Sequence, residues 1–287
     1  LAGARVVATG QGFVPCRDPE RLAGALRDYR LVTVRDAASF DLLEGTGVPV
    51  RHVADDGWLA LSGAGGVEVG DHPVYSSDPD TCRDLVLCAQ SDLVEPEVLA
   101  DTVGRVLAEW AVPGERITVV ESIPGGDRVV WDMVCDRAEA ASGAGGDDDE
   151  VGRALAGLHL PRARFVPFQE LWSTGLPARP GQVWLTSRFH PHLFAAARGA
   201  SGVALRTGSA FYDVKHGSLR AAGSPWGSVR AEAGLRAETA GAGELDAGVS
   251  TGIPAMPDAG GFAPSTVAAL VSGAERLAEE IYPVGAR

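Results

Sequence analysis

The residues most able to do chemistry stand together in Thr186-Ser187-Arg188-Phe189-His190-Pro191-His192. They follow an apolar, strand-like run at 182–187 and open a helical stretch at 188–199. Ligands of open α/β sheets sit outside the carboxyl ends of the strands. A helix start adds unpaired amide N–H groups and the positive end of a dipole, which stabilise a phosphate or carboxylate. Ser187 lies at that junction. Arg188 offers a planar fork for the same oxygens, and His190 can give or take a proton near neutrality. His192 is expected to face the sheet instead.

Three other strand tips are polar. Gly10-Gln11-Gly12 follows the apolar run 4–9 and can bring backbone close to a ligand. It lacks the third glycine of the dinucleotide fingerprint and is equally an ordinary turn. Arg35-Asp36 with Ser39 is an anion site or a local salt bridge beside a helix cap. Asp55-Asp56 can hold a divalent cation, accept a proton, or cap a helix. Lys215 is the chain's single lysine and stands near Tyr212, Asp213 and His216 in a segment that looks like an aromatic strand. The run DDDE at 147–150 is a solvated loop, and the tryptophans are core or cleft walls rather than a stacking platform.

The elements that must position these residues follow a βα rhythm. Strands are expected at 4–9, 31–36 and 48–56, with helices at 18–28 (Asp18 as cap, Pro19 first) and 39–47 (Ser39 as cap). The pattern restarts with strands at 84–90, 116–122, 163–168, 182–187 and 201–208. Helices are expected between them at 95–112, 127–138, 151–160, 169–175 and 188–199. Alternation of this kind predicts α/β architecture with parallel sheets. Residues 1–68 form the later part of one Rossmann-like domain and 69–83 a linker. Residues 84–262 form a second Rossmann-like domain, with a Gly/Ala-rich segment at 222–262 expected as loop. Residues 263–287 carry a terminal helix. The chain starts at Leu1 on a strand already under way, which leads to the expectation that the first domain is incomplete.

Composition narrows the partners. The 287 residues carry 38 acidic and 25 basic side chains, a formal charge of -13, and 24 of the 25 cations are arginines. That balance opposes a broad nucleic-acid footprint and an anionic membrane surface, but not a small anion in a locally positive pocket. No apolar run is long enough for a transmembrane helix. Cys16, Cys82, Cys88 and Cys135 have neither disulfide-framework nor metal spacing and read as free, mostly buried thiols of a reducing, cytoplasmic compartment.

The ordered set of motifs resembles the polysaccharide pyruvyl transferase family over most of the chain. GQGFVP at 10–15 resembles its Gly-Gln-Gly turn, with Val14 where glycine is usual. LVTVRDAASFDLLEGTGV at 31–48 resembles its Val-Arg-Asp segment. VADDGWLAL at 53–61 has Asp56 where the family has proline. TSRFHPHLFAAARG at 186–199 resembles its Arg-Leu-His helix with Phe189 for leucine, and YDVKHGSLRAAG at 212–223 resembles its Tyr-x-x-Lys ending.

The resemblance implies a two-domain fold of glycosyltransferase-B type and transfer of a pyruvate-derived group from phosphoenolpyruvate to a sugar or glycan acceptor, forming a ketal. It implies Arg188 and His190 as the donor-handling pair, Arg35 as a first-domain cation and a longer front end of the first domain. Gly10, Gln11, Gly12, Ser187, Lys215 and Tyr212 are candidate substrate contacts, and Asp55 a candidate base. No cofactor or metal is required, and a lipid-linked acceptor would bring peripheral contact with a membrane. The alternatives are a sugar-nucleotide-dependent glycosyltransferase of the same two-domain type, or a non-catalytic carbohydrate-binding or assembly protein.

Overall fold

The computed structural model describes residues 6–63, 69–91, 94–143, 149–208, 210–232, 249–250, 252–258 and 260–283. It shows an α/β fold with two parallel β-sheets, the arrangement of two Rossmann-like domains.

The first sheet runs β1 (Val7–Gln11), β2 (Leu31–Val34), β3 (Val50–His52) in that spatial order, all parallel. Its crossovers carry α1 (Pro19–Leu26) and α2 (Ala37–Leu43). Asp18 caps α1, its carboxylate accepting from the Arg21 amide at 3.0 Å. The cap of α2 is Asp36, not Ser39: Asp36 Oδ1 accepts from the Ser39 amide at 2.7 Å. Ser39 sits one turn inside, where its Oγ accepts from the Phe13 amide at 2.8 Å and ties the chain after β1 to α2. Ala23, Leu26, Val32, Val34, Leu43 and Val48 close a small core under this sheet.

The second sheet has the order β10-β9-β8-β7-β4-β5-β6, again parallel throughout. Its strands are β4 (Leu85–Cys88), β5 (Ile117–Val120), β6 (Arg164–Val166), β7 (Val183–Thr186), β8 (Ser201–Arg206), β9 (Gly227–Arg230) and β10 (Val249–Ser250). The chain moves from β4 out to β6, then returns to lay β7 on the other side of β4. Helices cover both faces, so the strands read as continuous apolar runs rather than alternating ones. Leu85 and Leu87 join one core with α3 (Pro96–Trp110), α4 (Gly126–Ala141) and α5 (Glu150–Gly157). Val86 and Cys88 join the other with α7 (Phe189–Ala197). Two-residue periodicity sends neighbours to opposite faces.

Two further expectations change. Residues 210–221 form helix α8 (Ala210–Ala221), not a strand. Helical spacing then pairs Phe211 with Lys215 and Tyr212 with His216, four residues apart on neighbouring stripes. The Gly/Ala-rich segment is not all loop. It supplies β9 and β10, and Ile253 and Phe262 are buried, while its stretch 233–248 lies outside the described residues. Its glycines allow contact rather than freedom alone: a Cβ on Gly261 (φ +94°) would lie 2.5 Å from the Gly199 Cα. Within the segment 69–83, Tyr75 is bridged to Leu176, and its hydroxyl donates to the Phe194 carbonyl at 2.9 Å.

Helix α6 (Phe168–Thr174) follows β6, and α9 (Pro264–Ile281) closes the described chain. Val267 and Val271 of α9 pack in the second domain's core beside Trp58, while Glu280 pairs with Arg51 of the first sheet at 2.5 Å. The same helix therefore fastens both domains. Cys82 and Cys88 are buried and Cys16 and Cys135 half-buried, all four free thiols. Among the described residues no helix is long and apolar enough to cross a membrane.

Candidate functional site

In the second sheet the order reverses between β4 and β7. Side chains beyond those two carboxyl ends face a crevice where neighbouring loops diverge. Gln90 follows β4 there, and Ser187 and Arg188 follow β7. The first domain presents the ends of β2 and β3, bringing Arg35 and Asp55. Between them lies a cleft of about 900 Å3 lined by Arg35, Gln90, Arg188, His190, Tyr212 and Lys215 among others. The structure thus brings together five of the candidate residues from three separate segments.

Asp55 lies beneath that lining, 5% exposed. Arg35 Nη1 donates to its Oδ2 at 2.7 Å, the Gly57 amide to its Oδ1 at 2.8 Å, and His190 Nε2 stands 3.2 Å from the same Oδ1. Burial opposes ionisation of Asp55. Its bonds from His190, Arg35 and Gly57 outweigh burial, so its pKa lies below the ordinary carboxylate value. The Arg35 guanidinium also lies over the Phe189 ring, 4.6 Å from the centroid, so the two domains meet through a cation on an aromatic face.

Arg188 is the residue ahead of α7 and has extended backbone. Its Nε and Nη2 clasp Asp127, with Nη2 to Oδ1 at 2.6 Å. Asp127 is 3% exposed and also accepts from the amides of Ser122 (2.6 Å) and Ile123 (3.2 Å). One edge of the Arg188 fork is thus taken up in holding its own position, leaving Nη1 for a ligand. Asp127 was not among the sequence candidates. The signal available was its place at the start of a helix directly after a strand, behind Gly125-Gly126.

Lys215 lines the cleft from α8, its Nζ 3.5 Å from the Phe211 ring centroid and 5.4 Å from that of Tyr212. The Tyr212 hydroxyl donates to Gln90 Oε1 at 3.4 Å. At the α7 start the Arg188 amide bonds to Thr186 Oγ1 and Pro191 has no N–H, so the first-turn amides without helical partners are those of Phe189 and His190. Arg35, Arg188 and Lys215 thus line the cleft, while Asp55 and Asp127, the carboxylates that hold the two arginines, are buried behind it.

Other candidates do not line the cleft. Gly10 and Gln11 belong to β1 rather than to a turn after it. Gly10 has φ +61°, and a Cβ there would lie 2.8 Å from the Asp56 carboxyl carbon. Gln11 Nε2 donates to the Thr9 carbonyl at 2.6 Å. A Cβ on Gly12 would lie 3.2 Å from Arg35 Nη2, so this glycine makes room for Arg35. Asp56 turns away from Asp55 to accept from Thr9 Oγ1 at 2.6 Å, so the paired aspartates do not converge. Ser187 is fully buried, its Oγ accepting from the Gln90 amide at 2.8 Å, and so staples the β7 end to the β4 end.

Behind the cleft, two buried histidines join the helices that carry the cations. His216 Nε2 lies 3.1 Å from the Ser187 carbonyl, His216 Nδ1 3.0 Å from His192 Nδ1, and His192 Nε2 2.8 Å from Ser224 Oγ. A carbonyl only accepts, so His216 carries its proton on Nε2 and its Nδ1 accepts from His192. The ring of His192 lies flat on Trp226, with centroids 4.2 Å apart. His192 thus faces the sheet side, as expected from the sequence.

This chain matches no family model, no curated protein and no solved structure. The chemistry of the site therefore rests on its own geometry. That geometry can hold a small polyanion against Arg35, Arg188, Lys215 and the α7 start. It can also poise an imidazole, oriented by Asp55, at the same place. Among the described residues no three His, Cys, Asp or Glu side chains gather where a metal ion could be held.

Proposed function

We propose that this protein is a pyruvyl transferase of glycosyltransferase-B architecture, moving a pyruvate-derived group from phosphoenolpyruvate to a sugar acceptor. The observation that carries this reading is the convergence of Arg35, Arg188, His190, Tyr212 and Lys215 on one cleft between two parallel-sheet domains. Phosphoenolpyruvate presents a phosphate and a carboxylate on a three-carbon frame. Two oxyanion groups so close need cations from more than one direction, and here they come from β2, the β7–α7 junction and α8.

The proposed reaction needs two hydroxyls of the acceptor. Protonation of the terminal vinyl carbon leaves an oxocarbenium-like centre at C2. One hydroxyl attacks C2, the bond from C2 to the phosphate oxygen breaks, and the second hydroxyl closes the ketal. Of the two hydroxyl protons, one ends on the new methyl group and one on phosphate. His190 moves the proton, with Asp55 on Nε2 holding the ring and stabilising its charged form, as in carboxylate–imidazole pairs elsewhere. Arg188, Lys215 and the α7 amides stabilise the departing phosphate, where charge develops. Asp55, buried under Arg35 and His190, orients the imidazole rather than taking a hydroxyl proton itself.

The test is release of inorganic phosphate from phosphoenolpyruvate with a panel of saccharides, with product mass read alongside. A pyruvate ketal raises the acceptor mass by 70 Da, roughly one pyruvate less water. Lys215→Met should weaken donor binding at least tenfold; unchanged binding and turnover would refute the donor site.

A second reading keeps one specific observation. The order of the second sheet is that of dinucleotide-binding sheets, and the cleft exceeds the needs of phosphoenolpyruvate alone. A sugar-nucleotide-dependent glycosyltransferase would use the same cations for a diphosphate. Nucleotide release in place of phosphate release would decide for it.

A further inference from the structure

Trp172 is 83% exposed, whereas Trp58, Trp110, Trp131, Trp184 and Trp226 are each 9% exposed or less. Five tryptophans are thus core, and the sixth, Trp172, is a cleft wall in solvent. An indole left in water forfeits one of the largest burial gains a side chain can make.

Its mount is rigid. The Phe168 amide at the start of α6 donates to Glu121 Oε2 at 3.0 Å, and Arg164 pairs with Glu170 on the same helix. At the far end the Leu176 amide donates to the Val74 carbonyl at 2.7 Å. The Phe168 ring stands 6.1 Å from that of Trp172, tilted by 31°, and widens the apolar surface.

The cleft is consequently two-sided in character. Arg35, Arg188 and Lys215 suit an anion, while Ile123, Phe168, Leu171 and Trp172 offer an apolar wall. Ser122, Ser173 and Gln90 line the same space and supply hydroxyl and amide groups. A ligand that meets all three must have a flat apolar face and a rim of hydroxyls. A pyranose has both: axial C–H groups gathered on a ring face, and equatorial hydroxyls at the edge.

We propose that Trp172, backed by Phe168, is the platform on which a pyranose ring of the acceptor stacks. The inference rests on the transferase reading above, and it names the acceptor class as a hexopyranose held by its C–H face. The donor sits at the cation end, and the stacked ring presents its hydroxyl edge toward it.

Trp172 is also its own reporter, since iodide quenches an exposed indole far more than buried ones. The experiment measures iodide quenching of intrinsic fluorescence with methyl β-D-glucopyranoside, methyl β-D-galactopyranoside or uridine 5′-monophosphate as probe, with and without phosphoenolpyruvate. The expected result is at least a twofold fall in the quenching constant with a glycoside, absent in Trp172→Ala. Calorimetry should show glycoside affinity at least tenfold lower in Trp172→Ala, less reduced in Trp172→Phe, and phosphoenolpyruvate affinity unchanged in both. Protection by the nucleotide alone, or no protection by either glycoside at 100 mM (on the order of the weakest useful single-site affinities), would overturn the proposal. Phosphoenolpyruvate binding without glycoside protection sinks the platform and spares the donor reading. Glycoside protection without phosphoenolpyruvate binding does the reverse.

Discussion

Mild acid should destabilise this protein through the buried histidine pair. His216 is 2% exposed and His192 fully buried, and both stay neutral in the fold. Burial is the main cause for each: it lowers the His216 pKa from 6.5 to about 4 and holds His192 well below its ordinary value. A proton added at His216 Nδ1 would also meet the N–H of His192 head-on. The unfolded chain therefore binds protons that the fold refuses, so stability is full above pH 6.5 and falls as pH drops toward 4. For a single histidine with those two values the loss is on the order of 1 kcal/mol at pH 5.5 and roughly 2–3 kcal/mol at pH 4.5. His192 adds a loss of the same sign. Against a total stability of roughly 5–15 kcal/mol, the pair can decide whether the fold survives at pH 4.5. Carboxylates held by arginine, such as Asp149 at about 2, lose their contribution only below the ordinary carboxylate pKa, so the two windows separate. Urea unfolding at pH 7.5, 6.5, 5.5 and 4.5 measures the slope, and His216→Gln should flatten it by the His216 share. A wild-type stability that stays level from pH 7.5 to 5, or an unchanged slope in His216→Gln, would refute the reasoning.

Other expectations concern the cleft and its supports. Asp55→Asn should cut turnover by about 10²–10⁴ while leaving phosphoenolpyruvate affinity within a few-fold, because it strips His190 of its orienting charge; a kcat/KM profile against pH reads this. Asp127→Ala should cost about 3–5 kcal/mol in chemical unfolding, since it leaves the Arg188 guanidinium, only 12% exposed, without its partner. Gly10→Ala should destabilise by about 1–3 kcal/mol, because φ is +61° and the added carbon would press on Asp56; thermal unfolding tests it, and a neutral result would show that β1 can shift.

Much of the architecture was legible because its causes are local. Asp18-Pro19 starts α1 through a side-chain cap and a preset φ, both within three residues. Pro264 opens α9 where the apolar stripe begins. Errors fall where two local signals compete. Asp36 and Ser39 are both good caps, and the choice went to Asp36 because Ser39 is needed by Phe13, 26 residues away. Aromatics in 210–216 favour strand by propensity, but helical spacing puts Tyr212 inward beside His216 and Lys215 over Phe211, and packing overrides propensity.

The sequence by itself determined the βα alternation, the polar strand ends and the types of side chain available for anion binding. These follow from periodicity, caps and composition, which neighbours in the chain set. Tertiary structure alone decided which charges meet. Arg35 passes over its neighbour Asp36, which is occupied as a cap, and takes Asp55, 20 residues on. Arg188 finds Asp127 across 61 residues, and the aspartates at 55 and 56 part company to opposite sides. It also decided that one tryptophan of six stays in solvent on the cleft wall. Partner choice depends on burial and on distances across domains, and neither is written in the spacing of residues along the chain.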